Sequence, residues 1–162
     1  MPLPLVDLAR FDLSRTVIPK SDIYRVLRHG GTFQLLDGIL HFDPQDDVII
    51  GFREVRIDEW WTRDHIPGRP LMPGVLMVEA ATQLGCFDFF RRRPEVAVTF
   101  VGFAGVDATR FRAPVEPPCR LVLAARGEKA RASGTRVLFT YVIQGTVNGK
   151  IVFDTSVTGM QM

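Results

Sequence analysis

An α+β architecture, an antiparallel sheet wrapped around one long central helix, is what this sequence predicts from three observations. From Pro73 to about Phe90, apolar residues occupy nearly every face of a helical register, the pattern of a helix buried all round. After Pro94 the chain alternates apolar and polar residues with the period of two that belongs to strands. Between two such segments stands Asn148-Gly149, the pair that a two-residue antiparallel hairpin favours because both positions need positive φ.

The elements follow in order. The first twenty residues read as an N-terminal extension that packs on or wraps a single domain formed by residues 21–162. Ser21 and Asp22 are placed to cap a short helix running through Leu27, with Ile23, Val26 and Leu27 on one face, ended by His29-Gly30-Gly31. Phe33 to Phe42 and Val48 to Ile57 read as strands joined by the turn-rich Asp43-Pro44-Gln45-Asp46-Asp47. A loop from Glu59 to Met72 leads into the central helix, where Pro73 suits a first helical position because its missing N–H has no intrahelical partner. Arg91, Arg92, Arg93 and Pro94 stop that helix, with cations at the negative end of its dipole. Val96–Phe103, Ala108–Ala113, Arg120–Arg126, Val137–Val147 and Ile151–Thr158 complete the predicted strands; Val137, Phe139, Tyr141 and Ile143 share one face.

Composition bounds the function. With 162 residues, 46% hydrophobic and 23% charged, the chain suits one soluble domain with a full core. A formal charge of +2 argues for no polyanionic partner, and no basic stripe interleaved with aromatics suggests nucleic acid. Charges or prolines interrupt every apolar run before it reaches the length of a membrane span, and the N-terminus lacks the pattern of a secretion signal. Cys86 and Cys119 have no metal-like spacing, and Cys86 reads as a small buried side chain. A cytoplasmic protein without membrane or nucleic-acid partners is the expectation.

Chemistry concentrates in HIPGRPLMPGVLMVEAATQ, His65 to Gln83. It sets one histidine on a loop stiffened by proline and glycine, and one carboxylate, Glu79, inside an apolar helix. A carboxyl among Val75, Leu76, Met77, Val78, Ala80 and Ala81 is expected to stay protonated or to find a partner, since burying it charged and alone costs several kcal/mol. An uncharged acid near an imidazole makes a pair suited to proton transfer. Taken alone, His65 reads better as a loop histidine bonded to backbone, and Glu79 equally as a partner for one of the many arginines; their joint setting beside Gly74 favours catalysis. His29 and His41 lack that setting, and His29 reads as structural.

The segment resembles the active-site motif of the β-hydroxyacyl-acyl carrier protein dehydratases of the dehydratase-only type, which are hotdog-fold enzymes. His65, Pro67-Gly68, Pro73-Gly74, Glu79 and Gln83 stand where that motif has histidine, two Pro-Gly pairs, glutamate and glutamine, with the family's spacing from histidine to glutamate, 79 − 65 = 14. Leu27 to Ile39 (LRHGGTFQLLDGI) and Phe103 to Pro117 (FAGVDATRFRAPVEP) resemble flanking family segments. Ile66 stands where an aromatic is usual and Arg28 where proline is, which bears on the shape of the acyl pocket. The resemblance implies removal of water from (3R)-hydroxyacyl thioesters, with no metal and no cofactor, on chains linked through phosphopantetheine to an acyl carrier protein. It implies a homodimer in which His65 and Glu79 of one site come from different subunits, commonly built into a trimer of dimers. The glutamate, where related dehydratase–isomerases carry aspartate, implies dehydration without double-bond isomerisation.

On this reading His65 removes the C2 proton, since an unperturbed imidazole titrates close to physiological pH, and neutral Glu79 protonates the departing hydroxyl. Gly74 is expected to offer its backbone N–H to the thioester oxygen, its missing side chain letting that oxygen approach. Gln83, four residues after Glu79 on the same helix face, is expected to orient the carboxyl or a water. Ile66 and Pro73 are expected to line the substrate site. Arg91, Arg92, Arg93, Arg110 and Arg112 read as solvated surface or as a dock for an acidic carrier. Two rivals remain: a hotdog thioesterase that activates water with the helix carboxylate, and a non-catalytic homologue that binds acyl carriers.

Overall fold

The computed structural model describes residues 2–96, 100–133 and 136–162. Its elements are strand β1 (Ile18–Pro19), helix α1 (Lys20–Val26), strands β2 (Gly38–Phe42) and β3 (Val48–Val55), helix α2 (Gly74–Arg92), and strands β4 (Val101–Phe111), β5 (Cys119–Ser133), β6 (Arg136–Val147) and β7 (Lys150–Gln161). The strands form one seven-stranded sheet in the order β1-β2-β3-β5-β6-β7-β4, and every neighbouring pair is antiparallel. Helix α2 lies across β3, β5, β6 and β7. This is the predicted α+β arrangement, a sheet curled about one long helix.

The core explains why. Leu76, Met77, Ala80, Ala81, Leu84, Phe87 and Phe89 of α2 are buried against Leu121, Leu123, Phe139, Ile143 and Phe153 of the sheet. Burying aliphatic or aromatic side chains of this size stabilises by about 1.5–3 kcal/mol each. Phe89 stacks on Phe139 with centroids 4.4 Å apart. Val137, Phe139, Tyr141 and Ile143 all face this core, as their alternation predicts. At the hairpin between β6 and β7, Asn148 and Gly149 both take positive φ, +50° and +74°, and Val147 pairs with Lys150.

Strand β3 begins with the apolar run Val48–Phe52 because both its faces are covered there. Ile49 and Val55 face α2, while Val48, Ile50 and Phe52 join Leu40 and Ala124 in a second cluster on the outer face. Val6, Leu8, Phe11 and Leu13 of the N-terminal segment roof that cluster. Gln144 ties the segment down, accepting from the Leu5 N–H at 2.9 Å and donating to the Leu3 carbonyl at 3.2 Å. Phe11 lies on the His41 ring, 4.6 Å between centroids.

Several expectations need correction. Only Gly38–Phe42 of the predicted strand 33–42 is extended in the sheet; Gly31–Phe33 is a 3-10 turn. The reason is that Phe33, Gln34, Leu35 and Leu36 give their backbone groups to side chains of Gln83, Tyr24, Lys20 and Arg53 instead of to a ladder. Helix α1 starts at Lys20 with Pro19 as its cap residue and no side-chain cap, so Ser21 and Asp22 lie inside it; Val26 is exposed. Two predicted strands, Val96–Phe103 and Ala108–Ala113, merge into β4 through register shifts, one beside Ala108 at φ +50°. The part of that prediction over residues 97–99 lies outside the described residues.

Candidate active site

Helix α2 is not covered all round. Val75, Val78, Glu79, Thr82, Cys86 and Phe90 are less buried than its core residues and recur at helical spacing, so one stripe stays open. Glu79 sits on that stripe and Gln83 one turn on.

Gln83 is buried and uses its amide completely. Its Nε2 donates to the Phe33 carbonyl at 2.8 Å and to Glu79 Oε1 at 2.9 Å, and its Oε1 accepts from Tyr24 Oη at 2.7 Å and the Leu35 N–H at 3.1 Å. Tyr24 Oη in turn accepts from the Leu36 N–H at 2.8 Å. An amide with every position engaged cannot flip without leaving buried groups unpaired, which costs about 1–3 kcal/mol each. Gln83 therefore orients Glu79, as its spacing predicts.

Glu79 has a second neighbour that the sequence reading assigned a structural role. His29 Nε2 stands 3.3 Å from Glu79 Oε1. Burial pushes the Glu79 pKa up, but hydrogen bonding from His29 and Gln83 and the nearby His29 charge outweigh it and hold the carboxyl below its ordinary value. This corrects the expectation that greasy neighbours keep Glu79 uncharged: in the single chain His29, brought from fifty residues upstream, and Gln83, one helical turn on, favour the carboxylate. None of the arginines weighed as an ion-pair partner reaches it among the described residues. The buried Tyr24 hydroxyl is pushed up, and burial pushes the neighbouring Cys86 thiol up to about 12, so it is an unreactive wall residue.

His65 lies on the loop between β3 and α2. The loop is anchored at its start by Arg53, which is buried, bonds Glu59 at 2.5 Å and reaches the Gln34 carbonyl at 3.1 Å. Buried Trp61 and the Met72 N–H to Val115 carbonyl bond at 2.9 Å hold its middle and end. The His65 ring is exposed, and its Nδ1 lies 2.8 Å from the Leu71 carbonyl. A carbonyl can only accept, so Nδ1 carries the proton and the neutral ring keeps its lone pair on Nε2. Within one chain no hydrogen bond joins His65 to Glu79 among the described residues.

Pro73 is the cap residue of α2, not its first helical residue; its ψ of 131° is extended and its carbonyl accepts from Leu76 and Met77. The side of Gly74 where a side chain would stand is not open for a ligand: a Cβ there would lie 2.7 Å from the Phe111 ring, so packing alone demands the glycine. Its N–H still lies in the first turn of α2, where helices lack internal acceptors. Ile66 is exposed beside His65.

A cavity of about 480 Å3 opens along the α2 stripe, walled by Leu27, His29, Cys86, Phe90 and Phe100. Arg28, Arg91 and Arg93 also border it. Arg92 differs: it is tied to buried Asp88 and to the Asp43, Asp46 and Val48 carbonyls. Arg112 pairs with Asp154 at 2.5 Å. No helix among the described residues is long and apolar enough to cross a membrane.

One antiparallel sheet curled about a long helix defines a hotdog-fold protein, and its Glu79 carboxyl is held by His29, a residue that lines the cavity. Comparisons agree. A family described as the FabA-like domain matches residues 27–156. The 3-hydroxyacyl-(acyl-carrier-protein) dehydratase FabZ of Polynucleobacter asymbioticus is 34% identical over 85% of this chain and 90% of its own length. The fold is shared with the dehydratase heterocomplex ApeI:P of Xenorhabdus doucetiae (TM-score 0.69, 14% identity, covering 91% of this chain and 93% of that one). It is shared too with mouse thioesterase superfamily member2 (TM-score 0.62, 12% identity, 87% and 92% covered), so the fold alone does not separate dehydration from hydrolysis. The chain belongs to the FabA-like family and, within it, to the 3-hydroxyacyl-acyl carrier protein dehydratases.

Proposed function

We propose that this chain removes water from (3R)-hydroxyacyl thioesters, carried on the phosphopantetheine arm of an acyl carrier protein, to give trans-2-enoyl thioesters. It would do so as a cytoplasmic homodimer in fatty acid or related lipid or polyketide synthesis. One observation carries the reading: the two atoms the chemistry needs are the two left unengaged among the described residues. His65 is tied through Nδ1 and keeps Nε2, and Glu79 is tied through Oε1 and keeps Oε2.

The reaction starts with His65 Nε2 taking the C2 proton. Negative charge then gathers on the thioester oxygen, where the Gly74 N–H at the head of α2 meets it; one such donor is worth about 3–4 kcal/mol elsewhere. The C3–O bond breaks as Glu79 Oε2 gives its proton to the departing hydroxyl, which leaves as water. When the acyl chain and a second copy cover Glu79, water leaves its surroundings and the burial that already opposes its two partners grows. The carboxyl then moves toward its neutral, proton-donating form. An exposed His65 and a half-covered Glu79 that do not meet within one chain fit a site completed across two copies. Ile66 and Pro73 then face the acyl chain, and Arg28, Arg91 and Arg93 offer an acidic carrier a positive rim.

Hydration of a short enoyl thioester, the reverse reaction, tests this in wild type and His65→Ala. We expect the variant to lose about 10²–10⁴ in turnover. Wild-type turnover in the variant would remove His65 as the base. Released free thiol without a conjugated enoyl product would make the protein a thioesterase, and carrier binding with neither product would make it a non-catalytic homologue.

A further inference from the structure

We propose that His29 is a positioning residue: together with Gln83 it clamps one oxygen of Glu79, so that the other is the oxygen that delivers the proton. The inference rests on the dehydratase reading and assigns the residue that decides which face of the acid works.

The geometry is specific. Gln83 Nε2 at 2.9 Å and His29 Nε2 at 3.3 Å converge on the same oxygen, Oε1, and Oε2 has no hydrogen-bond partner among the described residues. His29 is itself held. Gln34 Nε2 donates to its backbone carbonyl at 3.0 Å, and the Tyr24 ring stands edge-on with centroids 6.4 Å apart. Its Nδ1 is buried without a partner. A proton on Nδ1 would be an unsatisfied buried donor, whereas on Nε2 it points at Glu79, so the neutral ring presents its N–H to Oε1. An oxygen that already accepts two N–H bonds is the weaker site for a further proton. The acid proton of neutral Glu79 therefore sits on Oε2, turned away from the clamp.

Other charged or titratable groups surround the pair. Tyr24 faces it from α1, Cys86 from α2, and Arg28, Arg91 and Arg93 border the adjoining cavity; Asp37 and Arg53 act on Tyr24 from behind. Among the described residues only His29 comes within ion-pair distance of Glu79. In the elimination His29 forms and breaks no bond to substrate: the proton leaves Oε2 with the hydroxyl, and Oε1 keeps both donors.

The test uses the full chain with three readouts: steady-state hydration of the enoyl thioester, the titration of the Glu79 carboxyl followed by carbon-13 NMR, and thermal melting. In His29→Ala, kcat should fall about 100-fold, the scale of a misplaced catalytic group, with KM changed less than about twofold. Glu79 should titrate at higher pH, because a hydrogen-bond donor is gone while burial stays. His29→Gln, which keeps an N–H at the Nε2 position, should recover turnover to within about tenfold of wild type. Unchanged kcat in His29→Ala, an effect on KM alone, or an unmoved Glu79 titration would each overturn the clamp. If His29→Ala does not melt cooperatively, His29→Asn, whose amide falls short of Oε1, takes its place with the same criteria. Failure of the wild type to hydrate the thioester would sink the dehydratase reading instead, and the carboxyl titration would still decide the clamp.

Discussion

Helix α2 carries two acids, Glu79 in its first half and Asp88 in its second, and they are finished differently. Asp88 is almost wholly buried, and both its oxygens are engaged: Arg92 Nε bridges them at 2.9 and 2.8 Å, and Tyr141 Oη donates to Oδ2 at 2.7 Å. Arg92 then spends its other donors on the carbonyls of Asp43, Asp46 and Val48, so the end of the helix is bolted to the β2–β3 turn. Burial and that acid together push the Tyr141 hydroxyl up. Glu79 has one oxygen bound and, among the described residues, one without a hydrogen bond, and its partner His29 lines the cavity. A buried acid with both oxygens answered is a fastener. One that is half answered keeps an oxygen available for chemistry.

The difference can be broken from either side. The largest effect is expected for Glu79→Gln, which should cut dehydratase turnover by about 10³-fold, within the range of a lost general acid, and leave the melting temperature nearly unchanged. Steady-state hydration and calorimetry check it; a large loss of stability with turnover kept would exchange the two roles. Asp88→Asn should do the reverse, costing about 3 kcal/mol because the half-buried Arg92 loses its counter-charge and keeps only its carbonyl bonds, with kcat of the folded protein near wild type. Urea unfolding measures it, and a loss under 1 kcal/mol would show that the network is not what holds the helix end.

The smallest effect sharpens the contrast by pH. Glu79 is held below its ordinary value, so the stability it contributes is full above the unfolded carboxylate range, near pH 4.3, and is lost as pH falls through its lower folded value. Glu79→Gln lacks this component. The gap in urea midpoint between wild type and variant should therefore narrow on acidification below about pH 4. A gap that widens would contradict the sign.

Much of this was legible in the sequence because it is periodic or local. Helix α2, the Val137–Ile143 face and the Asn148-Gly149 hairpin follow from spacing and turn chemistry alone. The link from Gln83 to Glu79 is one helical turn and equally local. What escaped depends on contacts distant in sequence. Residues 33–36 have the composition of a strand, yet their backbone bonds go to Tyr24 and Gln83, which composition cannot reveal. Strand β5 runs past Arg126 to Ser133 because β6 pairs with it across Lys129–Ser133, although that stretch is polar enough to read as loop. His29 carries no local mark of its role. The signal that could have found it was its place in the Leu27–Ile39 segment, already noted for its resemblance. Phe111, which fills the space beside Gly74, could be found only in three dimensions.

The roof over the outer face has a consequence for how the protein is made. Residues 3–13 leave the ribosome before every strand of the sheet, but one of their anchors, Gln144, lies 139 residues from Leu5. That segment must wait, apolar and unseated, until the last strands have been synthesised and paired. Val48, Ile50 and Phe52 stay bare for as long. The beginning of the chain is thus among the last parts to settle, and the interval before it does is when a nascent molecule is most open to sticking to another.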